Sequence, residues 1–277
     1  MSEGVDTLSG HRIGFIGCGA MAQALAGGLV AAGVPAADLR GADLSPEQRK
    51  QFEERLGIDT TANNDELVAG SDVIVICVKP NVVTVVLSAL DGVAELDQKL
   101  WISIAAGIGL RTYDEHLPDS TRVIRCMPNT PALVGEAASA LCPNAHASDD
   151  DLAIAEALFS AVGTTWTTRV EEQLDAVTGL SGSGPAYVFL ILEALVDAGV
   201  RQGLPREAAS QLAFQTVLGA AKLAIESGET PGALKDRVSS PGGTTLAGLE
   251  KLEAAGIRAA IDAAVAAATA RSKELGS

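Results

Sequence analysis

The sequence contains few of the residues on which metal centres and acid–base catalysis usually depend. Its 277 residues include four cysteines and three histidines, and aromatic side chains make up 3%. The cysteines have no spacing typical of a metal site, so we expect no metal and reduced thiols in a cytoplasmic protein. The histidines lie outside every motif and are interpreted as surface residues. The two sets are Cys18, Cys77, Cys126 and Cys142, and His11, His116 and His146.

Positive charge and long apolar runs are also scarce. Lys and Arg number 20 against 35 Asp and Glu, which gives a formal net charge of −15. This charge argues against a nucleic-acid or anionic-membrane partner, and any anionic substrate then requires a local positive field. The best apolar candidate, residues 186–195, contains Glu193 and is shorter than the roughly 18 residues of a membrane helix. The first ten residues are polar and lack the apolar centre of a signal peptide.

What the sequence does contain is a glycine-rich turn near its start. Residues 12–22 read as a short buried strand that enters a turn and then a helix. The spacing Gly17-x-Gly19-x-x-Ala22 matches the G-x-G-x-x-G/A fingerprint of dinucleotide-binding folds. Gly17 would permit the tight turn, Gly19 the approach of a pyrophosphate, and Ala22 the close packing of helix on strand. The alternative is an ordinary strand–turn–helix joint.

Strands and helices alternate up to about residue 168, and only helical periodicity follows. The β-branched run of residues 73–78 is typical of a parallel strand buried on both faces. We therefore predict an α/β fold with an N-terminal Rossmann-type doubly wound, mostly parallel sheet and an all-helical C-terminal half. The predicted strands cover residues 13–16, 39–44, 59–60, 73–78, 101–104 and 123–126, with later ones near 141 and at 165–168.

A loop rich in small hydroxyl and glycine residues interrupts the helical half. It reads Ser239-Ser240-Pro241-Gly242-Gly243-Thr244-Thr245, and the helical pattern resumes directly after it. Such a loop leaves backbone N–H groups free at a helix start, where the helix dipole also favours negative charge. The arrangement suits a small carboxylate. A capped helix joint accounts for the same residue types equally well.

The final stretch, residues 254–270, is almost all alanine, with Ile257, Ile261 and Val265 on one stripe. Small residues let helices pack closely. A plain core helix and a subunit interface both explain this pattern. We predict a dinucleotide-binding domain over residues 1–168 and a helical substrate-binding and dimerisation domain over residues 169–277.

The chain resembles the pyrroline-5-carboxylate reductase family over essentially its whole length. Five segments carry the resemblance in order, and the last of them is the most specific. They are residues 15–21, 78–80, 125–131, 179–187 and 234–250. The resemblance implies reduction of 1-pyrroline-5-carboxylate to L-proline, the final step of proline biosynthesis, with NADPH or NADH as cofactor. It also implies a homodimer, and further assembly of dimers.

The resemblance further implies which residues hold the cofactor. The glycine-rich turn would bind the pyrophosphate, Lys79 and Pro80 the nicotinamide ribose, and Met127-Pro128-Asn129 would line the nicotinamide pocket. Asn64 matches a family residue near the adenosine ribose, although an exposed loop asparagine explains it nearly as well. The full predicted set is Gly17, Cys18, Gly19, Ala20, Met21, Asp43, Ser45, Asn64, Val78, Lys79, Pro80, Met127, Pro128 and Asn129.

By the same resemblance the hydroxyl-rich loop is the carboxylate cradle of the substrate. The predicted substrate-binding residues are Val238, Ser240, Gly242, Gly243, Thr244 and Thr245. Thr245 matches the family threonine that hydrogen-bonds the ring nitrogen, and we predict it as the catalytic residue. An imine carbon is already electrophilic, so the enzyme mainly needs orientation and a hydrogen-bond or proton donor at nitrogen. The absence of a histidine in any motif is consistent with this chemistry.

Asp43 makes the choice between NADH and NADPH an open question. It follows Gly19 by 24 residues (43 − 19), where an acidic side chain normally binds the ribose 2′-hydroxyl and repels a 2′-phosphate. Ser45 and Arg49 would still be within reach of a phosphate. Two alternative functions also stay open: a related imine or β-hydroxyacid reductase, and a non-catalytic dinucleotide sensor.

Overall fold

Eight strands form a single sheet in the order β3-β2-β1-β4-β5-β6-β7-β8. The structure, a computed structural model, describes residues 6–90 and 93–276. Neighbouring strands are parallel except β6 and β7, so the predicted mostly parallel sheet is confirmed. The strands are β1 (Ile13–Ile16), β2 (Leu39–Ala42), β3 (Asp59–Thr61), β4 (Val73–Ile76), β5 (Leu100–Ser103), β6 (Arg122–Met127), β7 (Ala137–Pro143) and β8 (Gly163–Thr167).

The strand order reverses between β1 and β4. The chain runs outward from β1 through β2 to β3, returns to the other side of β1 as β4, and continues outward to β8. Both strands are completely buried, as expected for strands covered by helices on both faces. Ligands of doubly wound sheets bind at the carboxyl ends of the strands at such a reversal.

Twelve helices have bounds that the structure describes in full. They are α1 (Ala20–Ala32), α2 (Pro46–Leu56), α3 (Asn64–Ala69), α4 (Pro80–Ala89), α5 (Leu110–Asp114), α6 (Asp149–Ser160), α7 (Gln173–Val177), α8 (Gly184–Arg201), α9 (Arg206–Ser227), α10 (Pro231–Arg237), α11 (Thr244–Ala254) and α12 (Ile257–Leu275). A π-helical turn, Thr178–Gly182, follows α7, and a 3₁₀ helix, Thr130–Val134, follows β6.

Two hydrophobic clusters cover the two faces of the sheet. Residues of α1 and α6, among them Leu29 and Phe159, pack on one face with Phe15 of β1. Residues of α3, α4 and α7, among them Leu67 and Leu174, belong to the other cluster. The edge strands β3 and β8 are partly exposed, whereas β1 and β4 at the centre are buried.

Two strands end earlier than the sequence pattern predicted. β2 stops at Ala42 and β4 at Ile76, whereas the predicted strands, residues 39–44 and 73–78, each extend two residues further. In the first case Ser45 caps α2 and accepts a hydrogen bond from Gln48 N, so residues 43 and 44 belong to the turn. In the second, Pro80 opens α4 and keeps the preceding residue extended.

The chain forms two compact units. One extends up to Ser183 and takes in the chain from Ala267 onward, and the other is Gly184–Ala266. The end of α12 lies on the first unit, where Ser272 Oγ donates to Asp175 Oδ1 at 2.7 Å. Among the described residues no strand follows β8, which ends at Thr167.

The second unit has a very small buried core and many exposed apolar side chains. Val196, Ala209 and Ala213 are its buried cluster. Large hydrophobic residues of α8 and α9 are exposed, including Phe189 (63%) and Phe214 (54%). Among the described residues one helical stretch, Gln173–Arg201, has the length and composition to cross a membrane, which the sequence analysis did not anticipate. Length and composition do not distinguish such a span from a helix whose apolar face is covered by another protein chain.

Candidate active site

The glycine-rich turn lies at the carboxyl end of β1, where the strand order reverses. Gly17 has a φ of +97°, and a Cβ there would lie 3.0 Å from the backbone C and O of Cys77. Only glycine fits this position without strain. Gly17 N also donates to Ala42 O at 2.7 Å, which fixes the turn beside β2.

Gly19, unlike Gly17, is not restricted by its backbone conformation or by neighbouring protein atoms. Its φ of −71° is available to any residue, and a Cβ there would meet no protein atom within 4 Å. Gly19 is the N-cap of α1, which has no side-chain cap, so the first backbone N–H groups of a 13-residue helix remain available. An open space at the N-terminus of a helix is what a pyrophosphate requires, so these residues fit a dinucleotide.

Asp43 lies beside this turn, at the end of β2. Its Oδ2 accepts from Cys18 N at 2.9 Å, and its Oδ1 accepts from Ser45 N at 2.8 Å. Arg49 Nη1 donates to the Asp43 backbone O at 2.7 Å. The structure therefore brings Cys18, Asp43, Ser45 and Arg49 together.

Val78, Lys79 and Pro80 follow β4 on the other side of the turn. A Cβ at Gly17 would lie 3.1 Å from Val78 Cγ1, so Val78 contacts the glycine-rich turn directly. Lys79 is the N-cap of α4, has an extended backbone and is exposed, and Pro80 takes the first helical position. The lysine side chain is thus placed at the carboxyl edge of the sheet.

Asn64 is the first residue of α3 and is half-buried. It does not cap that helix, since Asn63 is the N-cap and its Oδ1 accepts from Asp65 N at 2.9 Å. Helix α3 follows β3, at the outer end of the sheet.

Met127, Pro128 and Asn129 continue β6 at the same edge of the sheet. Pro128 and Asn129 are buried, and Met127 is half-buried. The Asn129 side chain bonds within the protein: Nδ2 donates to Ser181 O and Oδ1 accepts from Ala138 N, both at 3.0 Å. The contact with Ser181 was not predicted, and the signal for it in the sequence is Pro185, four residues after Ser181.

The hydroxyl-rich loop joins α10 to α11 in the second unit. Gly242 has a φ of +71°, and Gly243 N donates to Ser240 O at 2.9 Å. A Cβ at Gly243 would displace Ser240 Oγ and would lie 3.1 Å from Ser240 O, so the backbone is closely packed there. Glycine is favoured at position 242, where φ is positive.

The N-cap of α11 is Gly243, which has no side chain, and Thr244 and Thr245 are the first two helical residues. Thr245 is half-buried, whereas Thr244, Ser240 and Val238 are exposed. An N-cap role, the alternative explanation for Thr245, thus belongs to another residue. The first N–H groups of this 11-residue helix have no intrahelical partner.

The four cysteines are free thiols in the structure. Burial, with a smaller contribution from the Asp43 carboxylate, raises the pKa of Cys18 to about 12. Burial raises the pKa of Cys142 to about 11 and also raises the pKa values of Cys77 and Cys126. Within residues 6–90 and 93–276 no group of three potential metal ligands occurs.

Comparison with known proteins extends over both parts of the chain. The family description "Pyrroline-5-carboxylate reductase dimerisation" matches residues 171–275. A second description, "NADP oxidoreductase coenzyme F420-dependent", matches residues 12–107, which contain the glycine-rich turn.

Curated relatives named pyrroline-5-carboxylate reductase are similar over nearly their full length. The protein of Methanosarcina acetivorans is 48% identical, covering 97% of this chain and 99% of the relative. That of Pseudomonas aeruginosa is 46% identical, covering 97% and 98%. That of Arabidopsis thaliana is 48% identical, covering 95% of each chain.

Solved structures of the same name superpose closely. The pyrroline-5-carboxylate reductase of Coxiella burnetii has a TM-score of 0.92 at 37% identity, covering 96% of this chain and 99% of its own. The Plasmodium falciparum pyrroline carboxylate reductase, solved with NADP bound, has a TM-score of 0.86 at 34% identity, covering 97% and 99%. Sequence identity at this level over both chains, together with a glycine-rich turn and a hydroxyl-rich loop at two helix starts, shows that the chain belongs to the pyrroline-5-carboxylate reductase family.

Proposed function

We propose that this protein reduces 1-pyrroline-5-carboxylate to L-proline with NADPH or NADH, the final step of proline biosynthesis. The observation that carries the proposal is the open space at Gly19 in a chain 48% identical to a named reductase of this reaction. The hydroxyl-rich loop at the start of α11 adds a second group of free N–H donors, suited to the substrate's carboxylate.

The reaction adds one hydride to the imine carbon and one proton to the ring nitrogen. When bound, the reduced nicotinamide supplies the hydride. The chain itself must orient the imine and provide a hydrogen-bond or proton donor at nitrogen as that atom gains electron density. Thr245 is the proposed catalytic residue, because its hydroxyl lies at a helix start among free donors and the N-cap of that helix is Gly243.

The proposed cofactor site consists of the residues at the carboxyl edge of the sheet. The N-terminus of α1 binds the pyrophosphate, and Asp43 with Ser45 contacts the adenosine ribose. Lys79 and Pro80 contact the nicotinamide ribose, and Met127 with Pro128 forms the wall beside the nicotinamide. The remaining proposed contacts are made by Gly17, Cys18, Ala20, Met21, Asn64 and Val78. Asn129 belongs to the same site by sequence, but both ends of its side-chain amide are bonded to backbone.

The proposed substrate site is the loop that precedes α11. Gly242 and Gly243 bring the backbone close to the carboxylate, and Ser240 and Thr244 add hydroxyl donors. Val238, which is exposed at the end of α10, supplies an apolar contact for the ring. The local donors would overcome the repulsion that a chain of net charge −15 exerts on an anionic substrate.

The proposed assembly is a homodimer formed by the helical half, followed by association of dimers. The exposed apolar side chains of α8 and α9 support it, since monomeric proteins rarely expose so much contiguous apolar surface. A partner copy would cover the apolar stretch Gln173–Arg201 and make a membrane unnecessary. We propose a cytoplasmic location, in keeping with four free thiols, and no nucleic-acid partner. The domain division at residues 168 and 169 remains part of the proposal.

Turnover of purified protein tests the proposed function. Oxidation of NADPH and of NADH is followed by absorbance with 1-pyrroline-5-carboxylate. The comparison substrates are 1-pyrroline-2-carboxylate and a 3-oxo acid, the oxidised form of a β-hydroxyacid. Proline should form in amounts equal to the nicotinamide oxidised. Cofactor binding without oxidation would indicate a sensor, and faster turnover of a comparison substrate would indicate a related reductase.

A further inference from the structure

The Asn129 side chain connects two segments that are 52 residues apart in the sequence. Its amide Nδ2 donates to the backbone O of Ser181 in the π-helical turn, and its Oδ1 accepts from the backbone N of Ala138 in β7. The residue is 8% exposed. A buried amide with both ends bonded to backbone fixes the relative position of the segments that it joins.

The backbone O of Ser181 lacks its usual helical donor, because the residue four positions later is a proline. In an α-helix the backbone O of residue 181 would accept from the N–H of residue 185, but that residue is Pro185 and has no N–H. The chain instead forms the π-helical turn Thr178–Gly182, in which Ser183 N donates to Thr178 O at 2.8 Å. Asn129 thus provides the hydrogen bond that proline removes from the carbonyl of Ser181.

The π-helical turn also contacts Met127, the residue that precedes Pro128. A Cβ at Gly182 would lie 2.6 Å from Met127 Cε, so the thioether of Met127 rests directly on the glycine. Met127 is therefore held from two directions: by the chain that leads to Asn129, and by the turn to which Asn129 is bonded. π-Helical turns are often found at functional sites.

We propose that Asn129 is a positioning residue, which acts through Ser181 to hold Met127 and Pro128 at the distance that hydride transfer requires. The proposal rests on the proposed function, in which these two residues form the nicotinamide wall. Asn129 itself makes no contact with the cofactor. Misplacement by about 1 Å of a group that orients reactants lowers the rate by up to roughly 100-fold, whereas affinity for the rest of the cofactor is preserved.

Asn129→Asp provides the first test, because it keeps the size of the side chain and the acceptor for Ala138 while it removes the donor to Ser181. We expect kcat to fall by between about 10-fold and 100-fold. The dissociation constant of NADPH, measured by fluorescence titration, should stay within about twofold. The deuterium isotope effect with 4-deuterated cofactor should rise, since hydride transfer becomes slower than the other steps.

Asn144→Asp is the matched control. Asn144 is equally buried at 7% exposure and follows β7 at the opposite end of β6, where its Oδ1 accepts from Val123 N and its Nδ2 donates to Thr121 O. The same chemical change there should lower the melting temperature and leave kcat and the isotope effect of the folded protein unchanged. This control distinguishes an effect on the stability of the whole protein from an effect on the position of Met127 and Pro128.

Two further variants keep the test decisive if Asn129→Asp folds poorly. Pro185→Ala restores an N–H that can reach Ser181 O, and it should recover at least part of kcat when added to Asn129→Ala. Gly182→Ala displaces Met127 while Asn129 stays intact, and it should lower kcat with unchanged cofactor affinity.

The proposal is overturned if Asn129→Asp raises the NADPH dissociation constant about tenfold, which would indicate a direct contact. It is also overturned if the folded variants retain wild-type kcat and isotope effect. Failure of the proposed function looks different, because the wild-type protein itself would then not oxidise the cofactor with 1-pyrroline-5-carboxylate.

Discussion

The carboxylate of Asp43 accepts a hydrogen bond from the backbone N–H of Cys18, with 2.9 Å between Oδ2 and N. This bond joins the end of β2 to the glycine-rich turn that follows β1. The acidic side chain is therefore held beside the helix start that binds the pyrophosphate in our proposal. Its other oxygen accepts from Ser45 N, so the carboxylate also shapes the turn that begins α2.

We predict that Asp43→Ser raises the ratio of kcat/KM for NADPH to that for NADH by about tenfold, which corresponds to about 1.4 kcal/mol. A carboxylate that faces a 2′-phosphate forms an unfavourable like-charge pair, and serine removes it. Initial rates with both cofactors give the ratio. Asp43→Asn is the control for the hydrogen bond to Cys18, because it removes the charge and keeps an acceptor. An unchanged ratio in both variants would place the ribose elsewhere.

Gly19→Val should weaken NAD(P)H binding by at least about tenfold while the fold stays intact. The φ of Gly19 is ordinary and a Cβ there meets no protein atom within 4 Å, so the valine side chain would occupy the volume that the pyrophosphate needs in the proposed site. Calorimetric titration measures the NAD(P)H affinity, and thermal unfolding measures the stability of the variant.

Gly17→Ala is the matched control with the opposite expectation. The φ of +97° and the contact with the Cys77 backbone should lower stability by more than about 1 kcal/mol. Equal losses of affinity without loss of stability in both variants would contradict the distinction between the two glycines.

Thr245→Val should lower kcat and leave cofactor affinity unchanged. The valine keeps the shape of the side chain and removes the hydroxyl that, in the proposed mechanism, donates to the ring nitrogen. Loss of a proton-transfer partner typically costs up to about 10²–10⁴-fold. Thr245→Ser should retain most of the activity. Thr244→Val is the neighbouring control, and it should act mainly on the substrate KM. Wild-type turnover in Thr245→Val would remove the residue from the mechanism.

The thiols should resist alkylation in the native protein. Burial raises the pKa of Cys18 to about 12 and that of Cys142 to about 11, so both remain protonated at pH 8, and the thiolate is the reactive form. Mass spectrometry after iodoacetamide treatment should show little modification under native conditions and four modified cysteines in urea. Rapid modification of Cys18 in the folded protein would show that the glycine-rich turn opens readily.

The dimer is tested by mixing two inactive chains. Sedimentation at nanomolar concentration should show a dimer, since obligate interfaces commonly bury more than about 2,000 Å². If one subunit's cofactor domain works with the other subunit's loop, a Gly19→Val chain and a Thr245→Val chain should recover activity together after refolding. A dimer without recovery would place each site within one chain, and a fully active monomer would contradict the interface itself.

Local sequence patterns were sufficient for much of the fold. Two patterns are local. The β-branched run that forms β4 and the fingerprint at Gly17 and Gly19 each involve only a few neighbouring residues. β7 was predicted only as a residue near 141, because its antiparallel pairing with β6 depends on a partner strand rather than on its own pattern. The exposed apolar faces of α8 and α9 look like core positions to any local pattern.

The sequence by itself determined the family, the class of fold, the class of cofactor and the position of the two helix starts. Each of these follows from residues that are close together in the chain, so that backbone conformation and local donors decide them. Only the tertiary structure decided that Gly17 is fixed by the Cys77 backbone while Gly19 faces open space, and that Asn129 bonds to Ser181. These relationships join segments far apart in sequence, and their partners are chosen by the packing of strands and helices rather than by any short-range preference.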